Sequence, residues 1–209
     1  NAKAYAEKVL HDRRYSNAQN CKPPRKVGSK LWLFDCLTCD KCVPVCPNHA
    51  NFTYVLPAVT LPVAKVTRRA GQWSRVAAAP LVIAKKHQLA TYADFCNECG
   101  NCDVFCPEDG GPYALKPRFF GTKETWNRMP KGDGVFLERD GTAHGRFKGQ
   151  EFTLSGSRFV GDGFSLELTD ADAPSGEAAD GLEIDLTYFH ILRWLRDAVL
   201  AGPVNYVNA

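Results

Sequence analysis

The chain has 209 residues and a formal charge of +3, with 44% hydrophobic and 23% charged residues. That balance excludes general disorder, and so small a charge carries no argument for nucleic acid or a membrane surface. No apolar run approaches the ~20 residues of a membrane span, and the Ala-rich, amphipathic start does not read as a secretory leader.

Residues 2–14 place Tyr5, Val9 and Leu10 roughly on one side and charges elsewhere, the pattern of a helix. Residues 16–29 read as a connector, stiffened by Pro23-Pro24, with Lys22, Arg25 and Lys26 solvated. An N-terminal helix and basic linker thus occupy 1–29. Residues 30–35, apolar at Leu31, Trp32, Leu33 and Phe34, read as a short strand before a first cysteine block; 92–95 plays that part before a second. The two halves form a weak internal repeat of strand, cysteine loop and helical turn. Cys46 and Cys96 stand 50 positions apart, far more than one strand pair needs. The Val/Thr/Tyr-rich stretch 52–66, interrupted by Pro57 and Pro62, is expected to turn at Gly71-Gln72 into 76–84. A dicluster domain over 30–120, carrying an inserted β arm at about 51–90, follows from this reading.

After a Gly/Pro-rich exit at 108–118, the pattern changes. Stretches 135–138, 150–154, 157–160, 164–168 and 182–186 alternate apolar and polar residues, with a polar loop at 170–181. Residues 187–200 read as a final helix stopped by Gly202-Pro203, with Tyr188, Ile191, Leu192, Leu195 and Val199 inward and His190, Arg193 and Asp197 on the wet side. A β-rich C-terminal domain with a terminal helix is expected over 121–209.

Eight of the nine cysteines carry the chemistry. Cys36, Cys39, Cys42 and Cys46-Pro47 repeat the spacing of Cys96, Cys99, Cys102 and Cys106-Pro107, each C-x2-C-x2-C-x3-C-P, the bacterial run for a [4Fe–4S] cluster. A cubane presents iron at alternate corners, so a tight loop with a cysteine at every third residue reaches three of them while its N–H groups face the sulfides. The fourth cysteine leaves the loop and serves the other cluster. Cys36, Cys39, Cys42 and Cys106 are therefore expected on one cluster, and Cys96, Cys99, Cys102 and Cys46 on the second. A disulfide framework needs an oxidising compartment, zinc favours separated C-x2-C pairs, and a [3Fe–4S] centre typically lacks the second cysteine of a run, whereas Cys39 and Cys99 are present. Cys21 has no partner motif. With about −2 on each ligated cluster, the loaded chain falls near −1. Asp35, Asp40, Glu98, Asp103, Glu108 and Asp109 flank the runs and read mainly as surface acids. The fold expected is α+β: a bacterial 2[4Fe-4S] ferredoxin-like core with a β-rich insertion, then a small antiparallel sheet with one helix.

Asn97-Glu98-Cys99-Gly100-Asn101-Cys102, then Phe105-Cys106-Pro107 and Gly111-Pro112-Tyr113, resembles the C-terminal end of the large iron–sulfur flavoproteins that carry the family name selenate reductase subunit. These are relatives of the glutamate synthase small subunit and of dihydropyrimidine dehydrogenase. Phe34-Asp35-Cys36, Cys46-Pro47-Asn48 and Ala50-Asn51 look similar to the same family. The resemblance covers about 30–50 and 92–113 and is architectural beyond 120. In that family flavin and nicotinamide domains precede the clusters. No G-x-G-x-x-G follows a strand in this chain, so the resemblance implies FAD and NAD(P) on a partner domain or subunit.

The function expected is an iron–sulfur electron-transfer subunit or domain, cytoplasmic, in a stable complex with a flavoprotein and other oxidoreductase subunits. It would relay single electrons through two [4Fe-4S] clusters, with no catalytic residue of its own, no nucleic acid and no membrane span. The rivals are a self-contained diffusible ferredoxin and a binding module in which the clusters serve structure alone.

Overall fold

The computed structural model describes residues 1–20, 33–108, 110–169, 174–202 and 205–207. Cys21, the basic linker at 22–28, the apolar residues Leu31 and Trp32, Asp109 and Pro203 lie outside the described residues.

Helix α1 (Ala2–His11) stops short of the expected end because Asp12 turns extended and its carboxylate accepts the Arg14 N–H at 3.0 Å. A 3-10 turn (Arg13–Tyr15) and a short α2 (Asn17–Asn20) follow, and no α1 residue is buried. Leu33 and Phe34 form a turn, not the end of a strand.

The arm between the cysteine runs holds four strands. β1 (Asn51–Val55) pairs antiparallel with β4 (His87–Tyr92), and between them runs the long hairpin β2 (Val59–Arg69) and β3 (Gln72–Ile83). The hairpin turns at Ala70-Gly71, both at positive φ, which sends the chain back with the twist of a two-residue turn. Pro62 sits where the β2/β3 register shifts, as a residue without an N–H must.

The second run contains α3 (Asn101–Phe105), and after it come α4 (Pro112–Leu115), β5 (Arg118–Phe120), α5 (Lys123–Arg128) and seven strands: β6 (Gly134–Leu137), β7 (Ala143–Phe147), β8 (Gln150–Ser155), β9 (Arg158–Gly161), β10 (Phe164–Leu168), β11 (Pro174–Ala178) and β12 (Glu183–Asp185). Helix α6 (Thr187–Leu200) is last. One nine-stranded sheet runs β1-β4-β5-β6-β7-β8-β9-β10-β11, and β12-β2-β3 form a second. The molecule is thus α+β, many strands with few helices. The sheet is not purely antiparallel: β4–β5 and β5–β6 are parallel, a pairing that needs a crossover, supplied here by the second cysteine loop with α3 and α4, and by α5. β11 falls inside the expected polar loop. Its Pro-Ser-Gly-Glu-Ala carries no apolar alternation, and it pairs as an edge. Gly176, at φ +110°, lies where any Cβ would stand 2.4 Å from the Ser165 carbonyl oxygen.

Helix α6 buries Phe189, Ile191, Leu192, Leu195 and Val199 in a core shared with Leu56 of the arm and Phe147, Leu154 and Phe159 of the sheet. His190, expected on the wet side, is buried as well. The arm and the sheet enclose the helix from more sides than one amphipathic face anticipates; Asp197 stays exposed.

Candidate iron–sulfur centre

The two cysteine loops share one backbone. Left-handed residues fall at the same positions: Thr38 (φ 58°) and Asp40 (φ 57°) in the first, Glu98 (φ 58°) and Gly100 (φ 79°) in the second. Three of these are not glycine, in a region costing a side chain about 1 kcal/mol or more. Alternating hands turn successive N–H groups to the inside of a loop, which makes an anion-facing concavity. Two amides already contact sulfur: Thr38 N–H on Cys36 Sγ at 3.3 Å and Ala50 N–H on Cys46 Sγ at 3.2 Å.

The tertiary fold brings the eight cysteines into two sets of four. Cys36, Cys39, Cys42 and Cys106 line one cavity, with about 340 Å³ free of protein atoms. Cys46, Cys96, Cys99 and Cys102 line the other, with about 290 Å³. Each set joins three cysteines of one run to the last of the other. The eight are free thiols, Cys42 and Cys102 buried, Cys39 and Cys99 exposed. Among the described residues no three Cys, His, Asp or Glu side chains converge on a single-ion site; each set surrounds a space, not a point. The donor set therefore fits a thiolate-ligated cluster in each cavity. Pro112 lines the first cavity and Tyr113 the second, so one turn of α4 is the wall between them. Gly111 sets that turn in place: at φ +62° a Cβ would lie 2.5 Å from the Asp103 Cβ, so only glycine lets α4 approach α3.

Burial sets the acidity of the thiols. It pushes Cys42 up to about 12, helped by the neighbouring Cys36. Cys102 and Cys106 are raised by the same desolvation, moderated by the Tyr113 and Glu108 backbone N–H groups respectively. These sulfurs keep their protons unless a strongly cationic group displaces them, as coordination to iron does.

Residues remote from the runs tie the loops down. Lys85 Nζ donates to the Cys36 and Leu37 carbonyls at 2.7 and 3.1 Å, and His87 Nε2 lies 2.8 Å from an Asp40 carboxylate oxygen. Arg118 donates to Glu98 Oε1 at 2.7 Å and to the Tyr113 carbonyl at 3.1 Å. Asn51, buried at the start of β1, donates to the Cys42 carbonyl and accepts from Thr91 Oγ1, both at 2.8 Å. It lines the second cavity while holding the first loop. Lys116, 3% exposed, donates to the Leu33 carbonyl at 2.6 Å. Burial lowers its pKa, while Cys36, Asp35, Cys42 and Cys106 act in the opposite sense. Apart from Asn51, which stands in the Ala50-Asn51 segment, these supports carry no local signal in the sequence, because each acts on a loop tens of residues away. Of the acids beside the runs, Asp40 contacts the His87 imidazole, Glu98 makes an ion pair with Arg118, and Glu108 is buried against the first cavity.

Residues 32–109 match the model of the 4Fe-4S dicluster domain family. Over 117 residues, 56% of the chain, the sequence is 28% identical to proteins named "Putative oxidoreductase YgfK" from Escherichia coli strains K12 and O157:H7. The match spans 9% of those relatives' own length. No solved structure matches the chain.

Proposed function

We propose that this chain is the electron-relay part of an iron–sulfur oxidoreductase. It would pass single electrons between a NAD(P)H-linked flavoprotein, carrying FAD, and a partner oxidoreductase. Cys36, Cys39, Cys42 and Cys106 would hold one [4Fe–4S] cluster, and Cys96, Cys99, Cys102 and Cys46 the other. When bound, such clusters take up and release one electron at a time.

The observation that carries the reading is the grouping of the thiols: two cavities, each ringed by three cysteines of one run and the last of the other. The rest follows from what the chain's own residues do. The loop amides face sulfur and favour added negative charge. Leu89 and Pro112 line the first cavity with apolar surface, as Tyr113 and Ala50 do the second. The turn of α4 lines both cavities, with Pro112 on the first and Tyr113 on the second. The exposed Cys39 and Cys99 put one side of each cavity at the surface, where electrons enter and leave. The 28% relatives, whose length is mostly outside this match, support a chain that works joined to larger redox partners. No helix among the described residues is long and apolar enough to cross a membrane.

Anaerobic reconstitution tests the reading. It expects about eight iron and eight sulfide per chain, and a band near ~400 nm that bleaches on one-electron reduction and yields EPR signals of two clusters. A chain that takes up one zinc per loop, or clusters that no donor reduces, overturns it.

A further inference from the structure

Lys116 ends α4, the helix whose Pro112 faces the first cavity and whose Tyr113 faces the second. Lysines are almost never buried this fully unless paired, since an ammonium away from water forfeits its hydration. Its hydrogen bond goes to a neutral acceptor, the Leu33 carbonyl, three residues ahead of Cys36. Among the described residues it makes no ion pair with a carboxylate. The carboxylate that acts on it electrostatically is Asp35, which is exposed and so screened by water. The other groups that act on it are the sulfurs of Cys36, Cys42 and Cys106, which carry negative charge once they are thiolate ligands. Those are three of the four around the first cavity, and none belongs to the second.

We propose that Lys116 is the buried counter-charge of the first cysteine cavity, a positioning residue whose ammonium offsets the thiolates' charge and raises the potential of the cluster there. The inference rests on the relay reading, since it needs an anionic group in that cavity. A [4Fe–4S] core of +2 with four thiolates carries about −2, and one electron from the donor makes it about −3, with no bond formed or broken. A fixed cation stabilises the more negative state by more, so the potential rises on the side where the cation sits. At the second loop the guanidinium of Arg118 is met by Glu98 at 2.7 Å. The buried Glu108, which lines the same cavity, acts in the opposite sense, so the effect of Lys116 is read by neutralising that residue alone.

The test is an EPR-monitored redox titration, with dithionite as reductant, of the cluster-loaded chain and its variants. Hyperfine-shifted cysteine proton signals assign each potential to a cavity. Lys116→Met is expected to lower the potential of the cluster on Cys36, Cys39, Cys42 and Cys106. Electron exchange between the clusters would shift about tenfold toward the second, ~59 mV for one electron. Lys116→Arg keeps the wild-type values. Should Lys116→Met fail to fold, Lys116→Gln, which retains a donor without the charge, must show the same fall. Unchanged potentials in the neutral variant, or equal shifts in both clusters, overturn the inference while leaving the relay standing. A wild-type chain that takes up no second cluster overturns both, and iron and sulfide analysis reveals that before any variant is made.

Discussion

In the loop at 36–42 the left-handed residues are Thr38 and Asp40; in the loop at 96–102 they are Glu98 and Gly100. The backbones are copies, while what holds them differs. The first is gripped from the arm, by Lys85 on its carbonyls and His87 on Asp40, and stands beside the buried Lys116. The second is gripped from β5, by Arg118 on Glu98. Two identical cysteine spacings thus sit in unlike electrostatic surroundings, and the long insertion serves as a brace for one loop as well as a filler of the core. A repeated motif dictates the shape of a loop; its neighbours dictate how the two loops differ.

The largest effect that tests this comparison comes from the crossing of the last cysteines. Cys106→Ser, though in the second run, is expected to abolish the cluster of the first cavity, and Cys46→Ser that of the second. Iron content falls by about half in each, and the surviving EPR signal differs between the two. Loss of the opposite signal would mean that each run closes on its own cluster.

Next in size is Asn51→Leu. It strips the Cys42 carbonyl and the Thr91 hydroxyl of a buried partner, at about 1–3 kcal/mol for each group left unsatisfied. A lower denaturant midpoint with both clusters loosened is the expected result. A change confined to the second cavity, which Asn51 lines, would show that its bond to Cys42 does not couple the loops.

Removal of iron with a chelator separates the thiols kinetically. Only the thiolate alkylates, so iodoacetamide at pH 8 is expected to label exposed Cys39 and Cys99 well before buried Cys42 and Cys102, as peptide mass spectrometry would register. The sign for stability follows from the raised Cys42. The folded state favours its protonated form, so that contribution is intact below the ordinary thiol value of ~8.5 and is lost as pH climbs toward about 12. The iron-free chain should soften above about pH 9, where Cys42 labelling catches up.

The smallest effects belong to the surface pairs. His87→Ala removes a partly exposed hydrogen bond to Asp40 and Glu98→Gln a partly exposed ion pair with Arg118, and each should cost under about 1 kcal/mol in thermal unfolding. A much larger loss in one would mark that pair as the true anchor of its loop.

Local features were legible in the sequence. The hairpin turn, expected at Gly71-Gln72 and found one residue earlier at Ala70-Gly71, and the helix Thr187–Leu200 follow from residue types and spacings within a few positions. β7 was not, because its Gly145 and Arg146 break the alternation, and β11 was not, because an edge strand needs no apolar face. His190 was assigned to solvent on helical period alone, yet the packing of the arm against α6 buries it. Lys85, His87, Arg118 and Lys116 act across 20 to 83 positions of chain, a range over which periodicity carries no information.

By itself the sequence determined the nearest-neighbour chemistry: thiols at every third residue, a tight loop, a donor set suited to iron and sulfide. Spacing alone can do this, since three thiols within seven residues are already close whatever the rest of the chain does. The crossing of the last cysteines was expected from the repeated run, whereas which distant side chains grip each loop, and which cavity keeps a buried ammonium, were decided by the tertiary structure alone. Both depend on segments meeting through the sheet and α4, and the local sequence of a loop does not encode the charge that long-range packing places beside it.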